Sequence, residues 1–231
     1  MSSGVGESRA ERARRRRGGI AGAAHRLFLE RGYERTSYQD IADSAGVERN
    51  LVQYYFPKKD GLVIGLMDVA LRGAERAASR YDPGDDDFLR LHLVAQVYFG
   101  FLLDERVRSL TFDVVSSRRM TDEIILFDEE WLRDRLDSDA VRASDFTDDM
   151  TMAVGGSYEL CYQALANGRE LDPRDLTTRM LVAFMASLDE DAIAARIRLD
   201  AHRLSDDELG IAVQEVLNAC LHGLSEAPAA G

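Results

Sequence analysis

Lysine is almost missing from this sequence. Only Lys58 and Lys59 occur among its 29 basic residues, and every other one is arginine. Cysteine is equally scarce: Cys161 and Cys220 are too few for a disulfide framework and too far apart for a C-x-x-C site, so they read as small buried thiols of a cytoplasmic chain. The four histidines, His25, His92, His202 and His222, form neither H-x-x-x-H nor H-E-x-x-H, which implies no metal site and no cofactor. The longest apolar run, Val94 to Leu103, is broken by Gln96 and too short to span a bilayer, so no membrane partner is expected. No secretion-type apolar stretch follows the N-terminal charges. Paired acid–base groups, a nucleophile in a catalytic setting and a phosphate-binding glycine loop are all missing, and an enzyme is not expected. Strand-like alternation is rare. The four prolines, Pro57, Pro83, Pro173 and Pro228, fall near helix starts or breaks.

What is present is a helical chain of 231 residues with 45% hydrophobic content, enough for a sizeable core. Its net charge of −12 hides an asymmetry. Residues 1–60 hold 12 Lys+Arg against 8 Asp+Glu, a balance of +4, and the remaining 17 against 33 leave residues 61–231 at −16. A basic head on an acidic body suits a chain whose head alone meets a polyanion.

Residues 1–17 read as a basic disordered tail that Gly18-Gly19 closes. An apolar period near 3.6 then predicts helices over 20–31, 38–44, 48–54, 59–80, 86–103, 105–117, 121–137, 146–167, 173–189, 190–200 and 205–223. The fold class is all-α. The expected division is a head over residues 18–62, a longer helical body over 63–224, and a second disordered tail over 225–231. The 59–80 helix joins the two parts without a flexible linker.

The stretch Thr36 to Phe56 carries the function. Ser37 and Asp40 make an S-x-x-D capping pattern. Ile41 and Ala42 give the buried face, Gly46 can take a positive φ, and Val47 plugs the turn. A second short helix follows, so the stretch reads as a helix-turn-helix whose second helix faces the major groove. Arg49, Asn50, Gln53 and Tyr54 point outward; arginine suits guanine, and asparagine or glutamine suits adenine. Leu51, Tyr55 and Phe56 face mainly inward. Lys58 and Lys59, at a helix start, suit a phosphate.

From Ile20 to Leu62 the sequence resembles the DNA-binding head of the TetR (tetracycline-repressor) family. The resemblance rests on "AAHRLFLERGYERTS", "DIADSAGV", "YYF" and "KKDGL" taken together. It implies nine or more helices, a homodimer on a double-stranded DNA operator, and a repressor released by a small-molecule effector. The alternative is a regulator of the same fold that activates, or that takes no ligand. The resemblance also puts Ser37 and Tyr38 at phosphate contacts, Arg49, Asn50 and Gln53 at the groove, Tyr54 on a phosphate, and Lys59 on the DNA backbone. Gln53 stands where the family usually has a tyrosine, Glu48 where it often has Ser or Thr, and Asn50 where glycine is common. Two readings of the arginine run stay open: an arm in the minor groove, or a tail that adds salt-sensitive affinity.

The body is read from its residues. The 86–103 helix is apolar nearly all round and should be central. A mostly hydrophobic or aromatic effector pocket would draw on His92, Tyr98, Phe101, Phe127, Trp131, Met150, Tyr158 and Tyr162, with Met152 beside them; core packing is the competing role for each. Asp128, Glu129, Glu130 and Asp134 read as a solvated acidic face; the alternative is that they give the pocket a preference for a cation. For the dimer, the 146–167 helix offers Gly155-Gly156-Ser157. The 173–189 helix offers a stripe of Leu176, Met180, Ala183, Phe184 and Leu188. The 205–223 helix is the rival.

Overall fold

The structure, a computed structural model, describes residues 8–81, 83–136 and 145–222. Within them eleven helices follow one another and no strand occurs. They are α1 (Arg9–Arg31), α2 (Tyr38–Ala45), α3 (Arg49–Tyr55), α4 (Asp60–Ala78), α5 (Asp87–Leu103), α6 (Arg108–Val115), α7 (Arg118–Arg133), α8 (Phe146–Ala166), α9 (Pro173–Ser187), α10 (Ala192–Asp200) and α11 (Asp206–His222). Residues 1–7 and 225–231, read from the sequence as parts of the two tails, lie outside the described residues.

The first helix differs most from the sequence reading. It starts at Arg9, not Ile20, because Ser8 and Glu11 form a reciprocal capping box there. The arginine run Arg14–Arg17 and Gly18-Gly19 are therefore helical. The other helices match their expected spans to within a few residues.

The long α1 and the short α2 and α3 make the head, and α4 leads out of it into the body. Ile20, Ala24, Phe28, Ile41, Ala42, Val52 and Phe56 close the head's core. In the body, α5 is buried on every side from Leu91 on, as its mostly apolar character requires, with α4, α9 and α11 packed around it. Two buried polar side chains on α5 are satisfied internally. Gln96 Oε1 accepts from Leu204 N at 2.9 Å, and its Nε2 lies 3.2 Å from His92 Nδ1 and from the His202 carbonyl. His92 Nε2 lies 3.0 Å from Thr178 Oγ1. This chain of bonds fastens α5 to α9 and to the loop before α11. Replacing Gln96 by leucine would strand the buried Leu204 N–H, at a cost of about 1–3 kcal/mol.

The two proposed dimer stripes are largely spent on this core. Leu176, Met180 and Phe184 are buried against the body, as are Val213, Val216, Leu217 and Cys220. Gly155 admits the neighbouring α7, since a Cβ there would stand 3.3 Å from Ile125 Cδ1. Burial pushes the Cys161 and Cys220 thiols up to about 12, which suits inert core residues.

Candidate nucleic-acid interface and body cavity

Local chemistry sets the helix-turn-helix. Ser37 Oγ accepts from Asp40 N at 3.2 Å, and Ser37 N donates to Asp40 Oδ2 at 2.8 Å, so α2 opens with a complete capping box. Those bonds and Arg31 beside it hold the Asp40 carboxyl down to about 2. Gly46 closes α2 at φ 64°, a left-handed conformation that glycine adopts without a Cβ clash, and Val47 N donates back to Ala42 O at 3.0 Å. Helix α3 then lies across α2 with Val52 inward. Leu51 and Tyr55 are half-buried.

The outward face of α3 holds Arg49, Asn50, Gln53 and Tyr54, all exposed. Tyr54 is 76% exposed, with its ring edge-on to Tyr55 at 5.3 Å. These four side chains make no hydrogen bond among the described residues, so their donors and acceptors face outward unspent. Lys58 is exposed as well. Arg17 of α1 lies 5.4 Å from the ring centroid of Phe56, the residue that ends α3. Sequence reasoning missed this placement, although Ser8-x-x-Glu11 carries the same capping signature as Ser37-x-x-Asp40.

Three expected phosphate contacts are engaged inside the head. Lys59 Nζ donates to the carbonyls of Tyr33 at 2.8 Å and Thr36 at 2.9 Å, and lies 3.8 Å from the Tyr33 ring centroid. Its desolvated ammonium has a lowered pKa. Tyr38 Oη donates to the Phe56 carbonyl at 2.9 Å, and Ser37 is taken up by its cap. A positive charge near a helix start reads from sequence as a phosphate grip; here the nearest acceptors are the head's own carbonyls.

The head docks on the body along α1, which packs on α6 and α11, and through a small set of polar contacts. Asp60, buried in the first turn of α4, accepts from Tyr33 Oη and pairs with Arg119 of α7. Glu34 N donates to Asp113 Oδ2 at 3.1 Å, and Arg35 to Ser109 Oγ at 3.0 Å, both on α6. Gly32, at φ 88°, is required at this joint: a Cβ there would stand 2.7 Å from both Asp113 Oδ2 and Ser109 Oγ.

In the body an open groove of about 360 Å³ lies between the end of α4, the start of α5 and the end of α7. It adjoins a small apolar chamber of about 40 Å³ between α5, α7, α8 and α9. Leu91, Val94 and Trp131 wall both spaces. Of the expected pocket residues, Tyr98, Trp131 and Met150 line the chamber. Tyr158 stands behind it, donating to Asp128 Oδ2 at 2.7 Å. The structure sets the other four elsewhere. His92 belongs to the Thr178–Gln96 network, and burial lowers its pKa to about 4. Phe101 is closed in the core. Phe127 lines a second surface groove, which shares Glu75, Trp131 and Arg135 with the first, and Tyr162 stacks on Phe112 at 6.2 Å. Met152 is 78% exposed. The acidic face also needs correction, because Asp128 and Glu129 are buried rather than solvated. Glu129 is met by Arg133 and Thr147, whereas Asp128 faces the chamber. Among the described residues no group of histidine, cysteine and carboxylate side chains could hold a metal ion, and no helix is long and apolar enough to cross a membrane.

Residues 20–66 match the family of bacterial regulatory proteins, tetR family. Two regulators of Pseudomonas putida are similar over 118 residues: the probable HTH-type transcriptional regulator ArpR and the HTH-type transcriptional regulator TtgR. Each is 32% identical, across 49% of this chain and 56% of the relative, so the chain spans just over half the length of the curated relatives it matches. Among solved structures, full-length native TylP, a TetR regulator from Streptomyces fradiae, covers 91% of this chain and 100% of its own at 18% identity and a TM-score of 0.49. The fatty acid degradation regulator FadR of Bacillus halodurans covers 74% and 97% at 16% identity and a TM-score of 0.46.

Proposed function

We propose, from the premise that this chain belongs through residues 20–66 to the tetR family of bacterial regulatory proteins, that it is a DNA-binding transcriptional repressor released by a small effector. The observation that carries this is the outward face of α3. Arg49, Asn50, Gln53 and Tyr54 combine unspent donors, acceptors and an exposed ring on one short helix behind a glycine turn. Arginine and amide side chains at such positions read base edges, while Tyr54 and Lys58 contact phosphates. Lys59, Tyr38 and Ser37 hold α2 and α3 in register.

Two copies would set two α3 helices about 34–36 Å apart, one helical turn of DNA. The outer face of α8 supports such pairing, since Met152, Gly156 and Leu160 recur at i, i+4 on it and all three are exposed. The effector occupies the groove and chamber of the body. Helix α7 connects the two events: Trp131 and Asp128 wall the chamber, and Arg119, about 14 Å back along the helix from Asp128, pairs with Asp60 at the head. A ligand that favours one α7 position over another shifts the head only by its difference in affinity for the two.

The test is a gel shift with DNA from upstream of the chain's own gene, together with light scattering for the oligomer. Specific retardation of that DNA by a dimer is the expected result. A chain that retards no specific sequence at low salt overturns the reading.

A further inference from the structure

Two polar atoms on chamber-lining residues have no hydrogen-bond partner, Asp128 Oδ1 and Trp131 Nε1. Asp128 is 7% exposed, and only its Oδ2 is served, by Tyr158. Tyr158 Oη lies 3.4 Å from Tyr98 Oη, so the carboxyl ends a short line of hydroxyls with no cation in it. The cations nearby in sequence are engaged elsewhere: Arg133 bonds Glu129 and Thr147, and Arg135 bonds Glu75 and lies 4.1 Å from the Trp131 ring centroid. The groove's other charges are paired, Asp87 with Arg90 and Glu75 with Arg135. Burial raises the Asp128 pKa, against the lowering pull of the Tyr158 hydrogen bond, to about 7, so near neutrality the chamber holds a substantial fraction of carboxylate with no counter-charge. A buried charge without a counter-charge is costly, and an ion that supplies one recovers part of that cost.

We propose, resting on the reading that the body takes an effector, that this site binds a monocationic amine with an aromatic or aliphatic body, its ammonium on Asp128. The two spaces fit the two ends of such a molecule. The chamber of about 40 Å³ holds an ammonium and a carbon or two, and the groove of about 360 Å³ holds the body against Leu91, Val94 and Trp131. The indole adds a ring face to the cation's surroundings, and its N–H suits an acceptor on the ligand's body. The −16 balance of residues 61–231 draws cations toward the mouth. An anionic ligand meets the carboxylate as a like charge. A neutral alcohol satisfies Oδ1 but leaves the charge.

Trp131 is the chain's only tryptophan, so its fluorescence reports the site directly. The full chain is titrated with phenethylammonium, 2-phenylethanol and 3-phenylpropanoate, which share one body and differ in charge. Phenethylammonium is expected to bind about tenfold or more tighter than the alcohol, with no response to the acid, and Asp128→Asn to erase that difference. Equal binding of amine and alcohol by the unaltered chain overturns the amine assignment while leaving the effector reading in place. An amine preference that survives Asp128→Asn overturns the role of the carboxyl. Silence from all three probes overturns both readings. The series on the unaltered chain decides the point even where the variant fails to fold.

Discussion

Replacing Lys59 with methionine removes a cation that donates to two carbonyls within the head and covers the Tyr33 ring. The expected loss is about 1–3 kcal/mol of stability, seen as a lower Tm before any DNA is added. Lys58→Ala behaves differently: Tm holds, affinity falls alike for all sequences, and the slope of log affinity against log salt drops by about one. Matching effects of the two variants on Tm would sink this division. Arg49→Ala is expected to relax specificity at one base pair, by about 1–3 kcal/mol, in a competition assay against operator variants. Titration adds a further residue-scale contrast. His25 and His92 are buried with pKa values lowered to about 4, against about 6.5 for an unfolded ring. The unfolded chain therefore binds more protons between those values, and stability falls as pH falls through that window. Asp128 runs the other way. Its folded pKa of about 7 exceeds the ordinary carboxylate value of about 3.9, so its contribution is present at low pH and lost as pH rises toward 7. Asp128→Asn should thus raise Tm above neutrality and change it little in acid. A Tm difference that is constant across pH would show that the carboxyl does not titrate in this way.

At the scale of elements, the extension of α1 has the clearest consequence. Gly18 and Gly19 are helical, exposed and clear of any neighbour, so an alanine at either position meets nothing. Each substitution should strengthen the helix by about 0.5–1 kcal/mol, read as slower amide exchange over Arg9–Gly19. Removing residues 1–17 should weaken DNA binding and flatten its salt dependence, and an unchanged salt slope would refute a phosphate role for this end of the chain. The reason the sequence hid this helix is physical. Its start signal, Ser8-x-x-Glu11, was present, but paired glycines and a run of like charges normally mark a break, and only the completed capping box decides otherwise. The helix-turn-helix was legible because every signal agreed: the S-x-x-D cap, the glycine at the turn and an apolar face of matching period. The pocket was half legible. Spacing of i, i+4 places Phe127 beside Trp131 and Tyr158 beside Tyr162, yet only one of each pair reaches the chamber or its carboxyl. Trp131 reaches the chamber and Tyr158 the buried carboxyl, while Phe127 and Tyr162 are half-buried away from both. Periodicity assigns residues to a face of a helix, and only tertiary packing says what that face meets.

For the whole molecule, the question is how a chamber in the body can change a helix in the head. Helices α4 and α7 both run from one to the other. Helix α4 carries Asp60 at the head, and its Leu71 lines the chamber. Helix α7 carries Arg119 against Asp60 and Asp128 in the chamber wall. The Arg119–Asp60 pair is the charged link between them at the head, and Asp60 is buried while most of Arg119 is exposed. A ligand that moves α7 therefore acts first on a buried carboxylate whose other partner is Tyr33, the same residue whose carbonyl holds Lys59. Arg119→Met keeps the bulk of that side chain and removes its charge. It should leave phenethylammonium binding at Trp131 intact and leave DNA binding measurable, while shrinking the factor by which each ligand alters the affinity of the other. Couplings of this kind are typically about 1–3 kcal/mol, a change of about five- to 150-fold. Because coupling is reciprocal, DNA should lose its effect on amine binding by the same factor that the amine loses on DNA. An Arg119→Met chain that keeps full coupling would place the transmission in α4 alone.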